Sequence, residues 1–239
     1  MKQFLPVFKK ELFGYFRSPV GYVILIAFHL LTLGLAFYAN FYESRQANLS
    51  VLFRFLPWIL LVFISATGMR LWSEEKRSGS IELLFTLPIS VASAVLAKYL
   101  AALAFVAIAL LLTFSLAFTT AYLGNPDWGV MLSGYLGSLL LSAAFLGISS
   151  LCSSATKNQV IAFVASIAAC FAITIGGAQG LIDYIDDFAP TALIDFLTNL
   201  SFLINYQTLT IGLIELGAVS LFAFFTIAAL AINIVILKK

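Results

Sequence analysis

The residues with most scope for chemistry in this chain stand close together. Asp, Glu, Lys and Arg make up only 10% of its 239 residues, yet Glu74, Glu75, Lys76, Arg77 and Glu82 fall between positions 74 and 82. Gly79 and Pro88 supply turn chemistry, and an apolar run, Ile81 to Leu87, lies between them. A loop that only joined two membrane segments would not need an apolar face of its own. Leu83, Leu84 and Leu87 form a ridge, with Glu74, Glu75, Arg77 and Glu82 around its rim, in the manner of an anchor with a polar surround. The stretch predicts a short helix outside the bilayer, offered to another protein.

The other residue types capable of chemistry are isolated. His29, the only histidine, lies near the middle of a long apolar segment. Two readings stand for it: a side chain hydrogen-bonded to a neighbouring group, or a contact for substrate or a proton, since ionisable groups at that depth are costly. One histidine does not build a usual zinc site. No phosphate-cradling G-x-x-x-x-G-K-[ST] and no H-E-x-x-H occurs. No serine stands out as a partner for His29, and the aspartates cluster outside the apolar segments rather than facing one another in a membrane. Cys152 and Cys170 both fall inside or at the end of apolar segments and do not indicate a disulfide framework. The sequence therefore points away from chemistry carried out within the chain, and it offers no metal site, cofactor site or nucleic-acid surface.

The elements that must position the charged loop are membrane helices. Mean hydropathy is +1.05 and 62% of the residues are hydrophobic. About 20 helical residues cross a bilayer core, and the lack of strict alternation argues for helices over barrel strands. The fold class expected is all-α integral membrane, a single transmembrane domain over 1–239. Its spans are 20–41, 51–71, 92–123, 130–151, 160–178 and 218–237. Residues 1–18 precede them as an interfacial amphipathic helix: Phe4, Phe8, Leu12 and Tyr15 share one side, and Lys9, Lys10 and Arg17 lie opposite. Residues 73–90 form the polar loop between spans two and three. Residues 179–217 carry aspartates among aromatics and read as one or two short helices at the far face. Lys98 falls near the inner end of span three, and span four is rich in Ser and Gly, a packing signal.

Orientation follows from Lys and Arg. Eleven of them fall on one side of this arrangement, and Arg45 and Arg54 alone fall on the other. That asymmetry predicts cytoplasmic termini, a cytoplasmic 73–90 loop and an outer 179–217 segment.

At residues 74–90, Glu74-Glu75-Lys76-Arg77-Ser78-Gly79-Ser80-Ile81-Glu82-Leu83-Leu84-Phe85-Thr86-Leu87-Pro88-Ile89-Ser90, the chain resembles the permease subunits of ABC-2 type transporters. The shared pattern is an acidic-basic run, a glycine, Ser or Thr, an acidic residue two places on, two leucines and a proline. Residues 8–22 look like the branch associated with gliding-motility-type exporters. That branch often carries His-Phe-Glu and then a glycine before the last span, where this chain departs with Asn205-Tyr206-Gln207 and Gly212. The resemblance implies a permease working as a homodimer or beside a second permease in the cytoplasmic (inner) membrane. A separate ABC ATPase subunit would bind ATP and magnesium, and an auxiliary extracytoplasmic subunit can accompany such complexes. It assigns ATPase coupling to Glu74, Glu75, Arg77, Gly79, Glu82, Leu83, Leu84, Leu87 and Pro88. It assigns a second contact, the connector helix, to Phe4, Phe8, Lys9, Lys10, Leu12 and Arg17. From the residues alone, a membrane scaffold docking a cytoplasmic partner and a secondary carrier remain as rival readings.

Overall fold

The structure is a computed structural model and describes residues 4–41, 46–82, 89–185 and 190–238. Among these the chain is helical, with no strand. Helix α1 (Phe4–Arg17) is amphipathic: Leu12, Tyr15 and Phe16 pack on the core while Lys9, Lys10 and Arg17 are exposed. It stops because Pro19 forces Ser18 into an extended conformation, φ −89° and ψ 129°. The proline then opens α2 (Pro19–Tyr38), where a missing N–H costs nothing. The corner is tight at Gly21, since a Cβ there would sit 2.0 Å from the Tyr15 carbonyl oxygen. Helix α2 buries only a narrow stripe, Gly21, Phe28, Thr32 and Ala36, and leaves its other faces open.

Two of the long apolar segments are each broken once. The first forms α3 (Ser50–Gly68) and α4 (Arg70–Ser78), interrupted at Met69. The second forms α5 (Val91–Leu112) and α6 (Phe114–Leu123), interrupted at Thr113. Helix α5 is capped by Ser90, whose hydroxyl accepts the Ser93 amide at 3.2 Å. Helix α7 (Trp128–Ala155) is capped by Asp127, which accepts the amides of Gly129 and Val130. It is the hub of the bundle, packing against α3, α4 and α5 and against the later helices Gln159–Ile175, Phe202–Thr210 and Leu216–Leu237. Small residues make this possible: a Cβ on Gly134 would come within 2.3 Å of the Phe53 ring, and one on Gly68 within 2.3 Å of the Ser149 hydroxyl.

Helix α8 (Gln159–Ile175) follows, then three short helices, α9 (Gln179–Ile185), α10 (Thr191–Leu200) and α11 (Phe202–Thr210). Helix α10 has no buried residue, whereas α11 is inserted into the bundle through Phe202, Tyr206 and Leu209. Ser133 donates to the Leu209 carbonyl at 2.6 Å, and Ser138 and the Tyr206 hydroxyl are 3.1 Å apart. Helix α12 (Leu216–Leu237) closes the bundle against α7.

Among the described residues, five helical stretches are long and apolar enough to cross a membrane: Pro19–Tyr38, Ser50–Ser78, Val91–Leu123, Trp128–Ala155 and Leu216–Leu237. Six spans were expected. The segment expected as the fifth, α8, is apolar but has 17 residues. At ~1.5 Å per residue that is about 26 Å, less than the ~30 Å of a hydrocarbon core.

Candidate coupling site at one end of the bundle

The side chains with most electrostatic consequence meet around Lys98. This lysine lies two turns into α5 among Ala94, Ala97, Ala101 and Ala102, all fully buried, and its own side chain is 3% exposed. The alanines leave room for neighbouring helices to reach it. Its Nζ lies 2.8 Å from Glu75 Oε1 on α4 and 3.3 Å from Glu11 Oε1 on α1. It also donates to the Leu71 carbonyl at 3.2 Å and sits 5.1 Å from the centre of the Trp72 ring. A buried ammonium is tolerated only when paired and hydrogen-bonded, and here α1 and α4 meet that demand together. Tyr15 and Phe16 of α1 stack and pack edge-on against Phe105 of α5, so aromatic contacts reinforce the same junction. Burial, then the nearby Glu11 carboxylate, pushes the Tyr15 phenol up, which keeps it a neutral donor.

The second feature is the break at Met69. In a continuous helix the Trp72 and Ser73 amides would bond the carbonyls four residues earlier, those of Gly68 and Met69. Instead both are held by Ser153 Oγ of α7, at 3.0 and 3.1 Å, and the same hydroxyl donates to the Met69 carbonyl at 2.7 Å. A side chain inserted into the helical ladder is a recognised cause of a kink. One turn away, Ser150 Oγ accepts from Trp72 Nε1 at 3.2 Å and from Asn233 Nδ2 of α12 at 2.6 Å. Lys76 Nζ reaches the Ser154 carbonyl at the end of α7. Burial, with Lys157 nearby, lowers the proton affinity of that ammonium. Helix α4 is thus tied to α1, α5, α7 and α12 at its root, while its outer face remains in the open.

The expected coupling residues divide accordingly. Glu75 belongs to the Lys98 junction. Glu74 is exposed and pairs with Arg70 on its own helix at 3.0 Å, a pairing of little energetic weight. Arg77 and Glu82 are exposed. Gly79 ends α4 with φ 73° and ψ 0°, the left-handed conformation that favours glycine, so the chain turns sharply there. Ile81 packs partly against the core. Leu83, Leu84, Leu87 and Pro88 lie outside the described residues.

On α1, expected as the connector, Phe4 and Phe8 are half-buried with their rings stacked 6.3 Å apart, and Leu12 packs inward. Lys9, Lys10 and Arg17 point away from the core. His29 is placed elsewhere, on α2. Its Nδ1 is 2.9 Å from the Leu25 carbonyl and its ring meets Phe28 edge-on. Its Nε2 is buried without a hydrogen-bond partner among the described residues.

The sequence places Lys98 near the inner end of span three without giving it a role, and Glu11, Trp72, Ser153 and Asn233 carry no site assignment there. The signal for Lys98 was present: a lysine two turns inside an apolar, alanine-rich helix demands a partner. Nothing in the spacing identified which carboxylates would supply it.

No curated protein sequence matches this chain. A family model described as ABC-2 family transporter protein matches residues 5–237, nearly its whole length and including every group in the Lys98 junction. With five helices able to cross a membrane and this match, the chain belongs to the ABC-2 family of transporters, as a multi-pass membrane component.

Proposed function

We propose that this chain is the permease subunit of an ABC exporter, coupling ATP hydrolysis by a separate ATPase subunit to movement of a substrate across the cytoplasmic membrane. The carrying observation is the Lys98 junction. Helices α1 and α4 and the start of α5 are fastened to one buried ammonium, and the chain leaves α4 at the left-handed Gly79 toward the 79–90 loop. A force applied to that loop by a nucleotide-driven partner reaches α1 and α5 together, because separating them exposes unpaired buried charge. The Ser153-held break at Met69 supplies the joint about which α4 turns relative to α3.

In this reading the ridge Leu83, Leu84 and Leu87 seats in the ATPase, with α1 as the second contact. ATP and magnesium belong to that partner, and the permease pairs with a second copy or a second permease. The end of the bundle that carries the junction also holds Lys9, Lys10, Arg17, Arg70, Lys76, Arg77 and Lys157. That concentration of cations supports a cytoplasmic location for this end and for both termini. Helix α8 is then the short fifth span of six. The likeness of residues 8–22 supports the gliding-motility-type branch.

The test is a tagged purification in mild detergent from the native host, with hydrolysis assayed on the eluate. The reading predicts a separate ATPase chain in the complex and ATP hydrolysis. Recovery of the chain alone, with no hydrolysis under conditions that preserve membrane complexes, would favour a scaffold.

A further inference from the structure

A cleft of about 160 Å³ opens between α1, the first turn of α2 and the α3–α4 break, room for several waters or one small polar head. Its depth is fixed twice. Helix α2 begins at Pro19 and α3 ends at Gly68, and both flank the cleft. It therefore lies where two apolar runs stop, at the level of lipid headgroups.

Its lining is mixed in character. Val20, Ile24 and Ala66 give it apolar lining, and Glu11, Arg70 and Glu74 give it charge. Arg70 gives Nε and one terminal nitrogen to Glu74 at 3.0 and 3.4 Å. A guanidinium has five N–H donors, so most remain for a ligand, and each carboxylate can accept further bonds. Tyr15, also in the lining, adds a phenolic donor.

These charges select among headgroups. Two carboxylates and one guanidinium line the cleft; Glu74 is paired with Arg70 and Glu11 shares its charge with Lys98 behind it, and both carboxylates keep acceptor capacity toward the cleft. A purely anionic head gains Arg70 but meets two carboxylates. A trimethylated ammonium has no N–H to give them. A primary ammonium beside a phosphate satisfies both sets. We propose that the cleft binds the headgroup of a phosphatidylethanolamine-type lipid, its phosphate on Arg70, its ammonium toward Glu11 and Glu74, and its chains along Val20 and Ile24. This inference stands on the cleft alone and does not require an ATPase partner.

Gly14 provides the decisive variant. Gly14 lines the cleft and a Cβ there meets nothing within 4 Å, so Gly14→Leu adds bulk at the cleft while leaving Glu11, Arg70 and Glu74 in place. The protein would be equilibrated in detergent with equal amounts of phosphatidylethanolamine, phosphatidylcholine and phosphatidylglycerol, and the retained lipid counted by native mass spectrometry. The expected result is ethanolamine lipid favoured on the order of tenfold over either competitor, about 1.4 kcal/mol. Gly14→Leu should abolish that preference with an unchanged melting temperature, and Glu74→Gln should reduce it with the cleft unfilled. Equal retention of the three lipids, or a preference surviving in a folded Gly14→Leu protein, overturns the proposal. Soluble glycerophosphoethanolamine at the lipid's concentration should fail to displace it. Displacement there would make the ligand a free head and overturn the assignment to lipid.

Discussion

Lys98 is the residue on which the architecture of this end of the bundle turns. Its ammonium is shared between two carboxylates, a carbonyl and an aromatic face. Removing one partner from a buried ion cluster costs about 3–5 kcal/mol, because the remaining charges stay buried and unpaired. Lys98→Met should therefore lower the melting temperature in detergent sharply, with Glu11 and Glu75 left facing each other. Adding Glu11→Gln and Glu75→Gln should recover much of the loss, since an apolar or neutral replacement of a whole buried cluster is often tolerated. A Lys98→Met protein that melts with the parent would show that the junction carries no stability. At this scale the sequence was readable for some residues and not others. Gly79 and Ser90 announce a helix end and a helix start through backbone chemistry that is local, and both act so here. The Glu11–Lys98–Glu75 contact joins residues far apart in the chain, and its pairing depends on how α1 lies across α5, which no local pattern encodes.

At the scale of the element, the break at Met69 separates the membrane-crossing part of α3 from the charged α4. Ser153 holds that break open by taking two amides and giving its proton to the Met69 carbonyl. Ser153→Ala removes the acceptor from two buried donors, at about 1–3 kcal/mol each if they stay unsatisfied, unless α3 and α4 straighten into one ladder. Either way the amides of Trp72 and Ser73 should change their hydrogen-exchange protection, and identical protection in variant and parent would remove Ser153 from this role. The sequence pattern predicts unbroken spans at 51–71 and 92–123 because hydropathy averages over a window and does not register a hydroxyl arriving from another helix. It likewise lengthens the fifth span to 178, although Gly176 and Gly177 follow the last helical residue, Ile175, and the Ser201 side chain lies close to Gly177. Short helices were legible in 179–217, but the burial of α11 was not, for a related reason: Tyr206 and Ser133 are polar in sequence but satisfied inside the bundle.

At the scale of the whole molecule, class and membership were legible in composition and in the 74–90 pattern, and the family match over residues 5–237 agrees with them. The assignment of sides rests on charge. Asp195 on α10 and Ser78 at the end of α4 are both exposed, so cysteines placed there report topology directly. Asp195→Cys should react with an impermeant maleimide added to intact cells and Ser78→Cys should not; the opposite pattern would invert the molecule. In the proposed function the loop beyond Gly79 transmits work from an ATPase through the Lys98 junction. The most direct measurement is transport and ATP hydrolysis by the purified complex carrying Leu83→Asp, which puts a charge on the apolar ridge. The expected result is normal insertion with transport lost and hydrolysis no longer responding to substrate. Transport at the parent rate in that variant would contradict it.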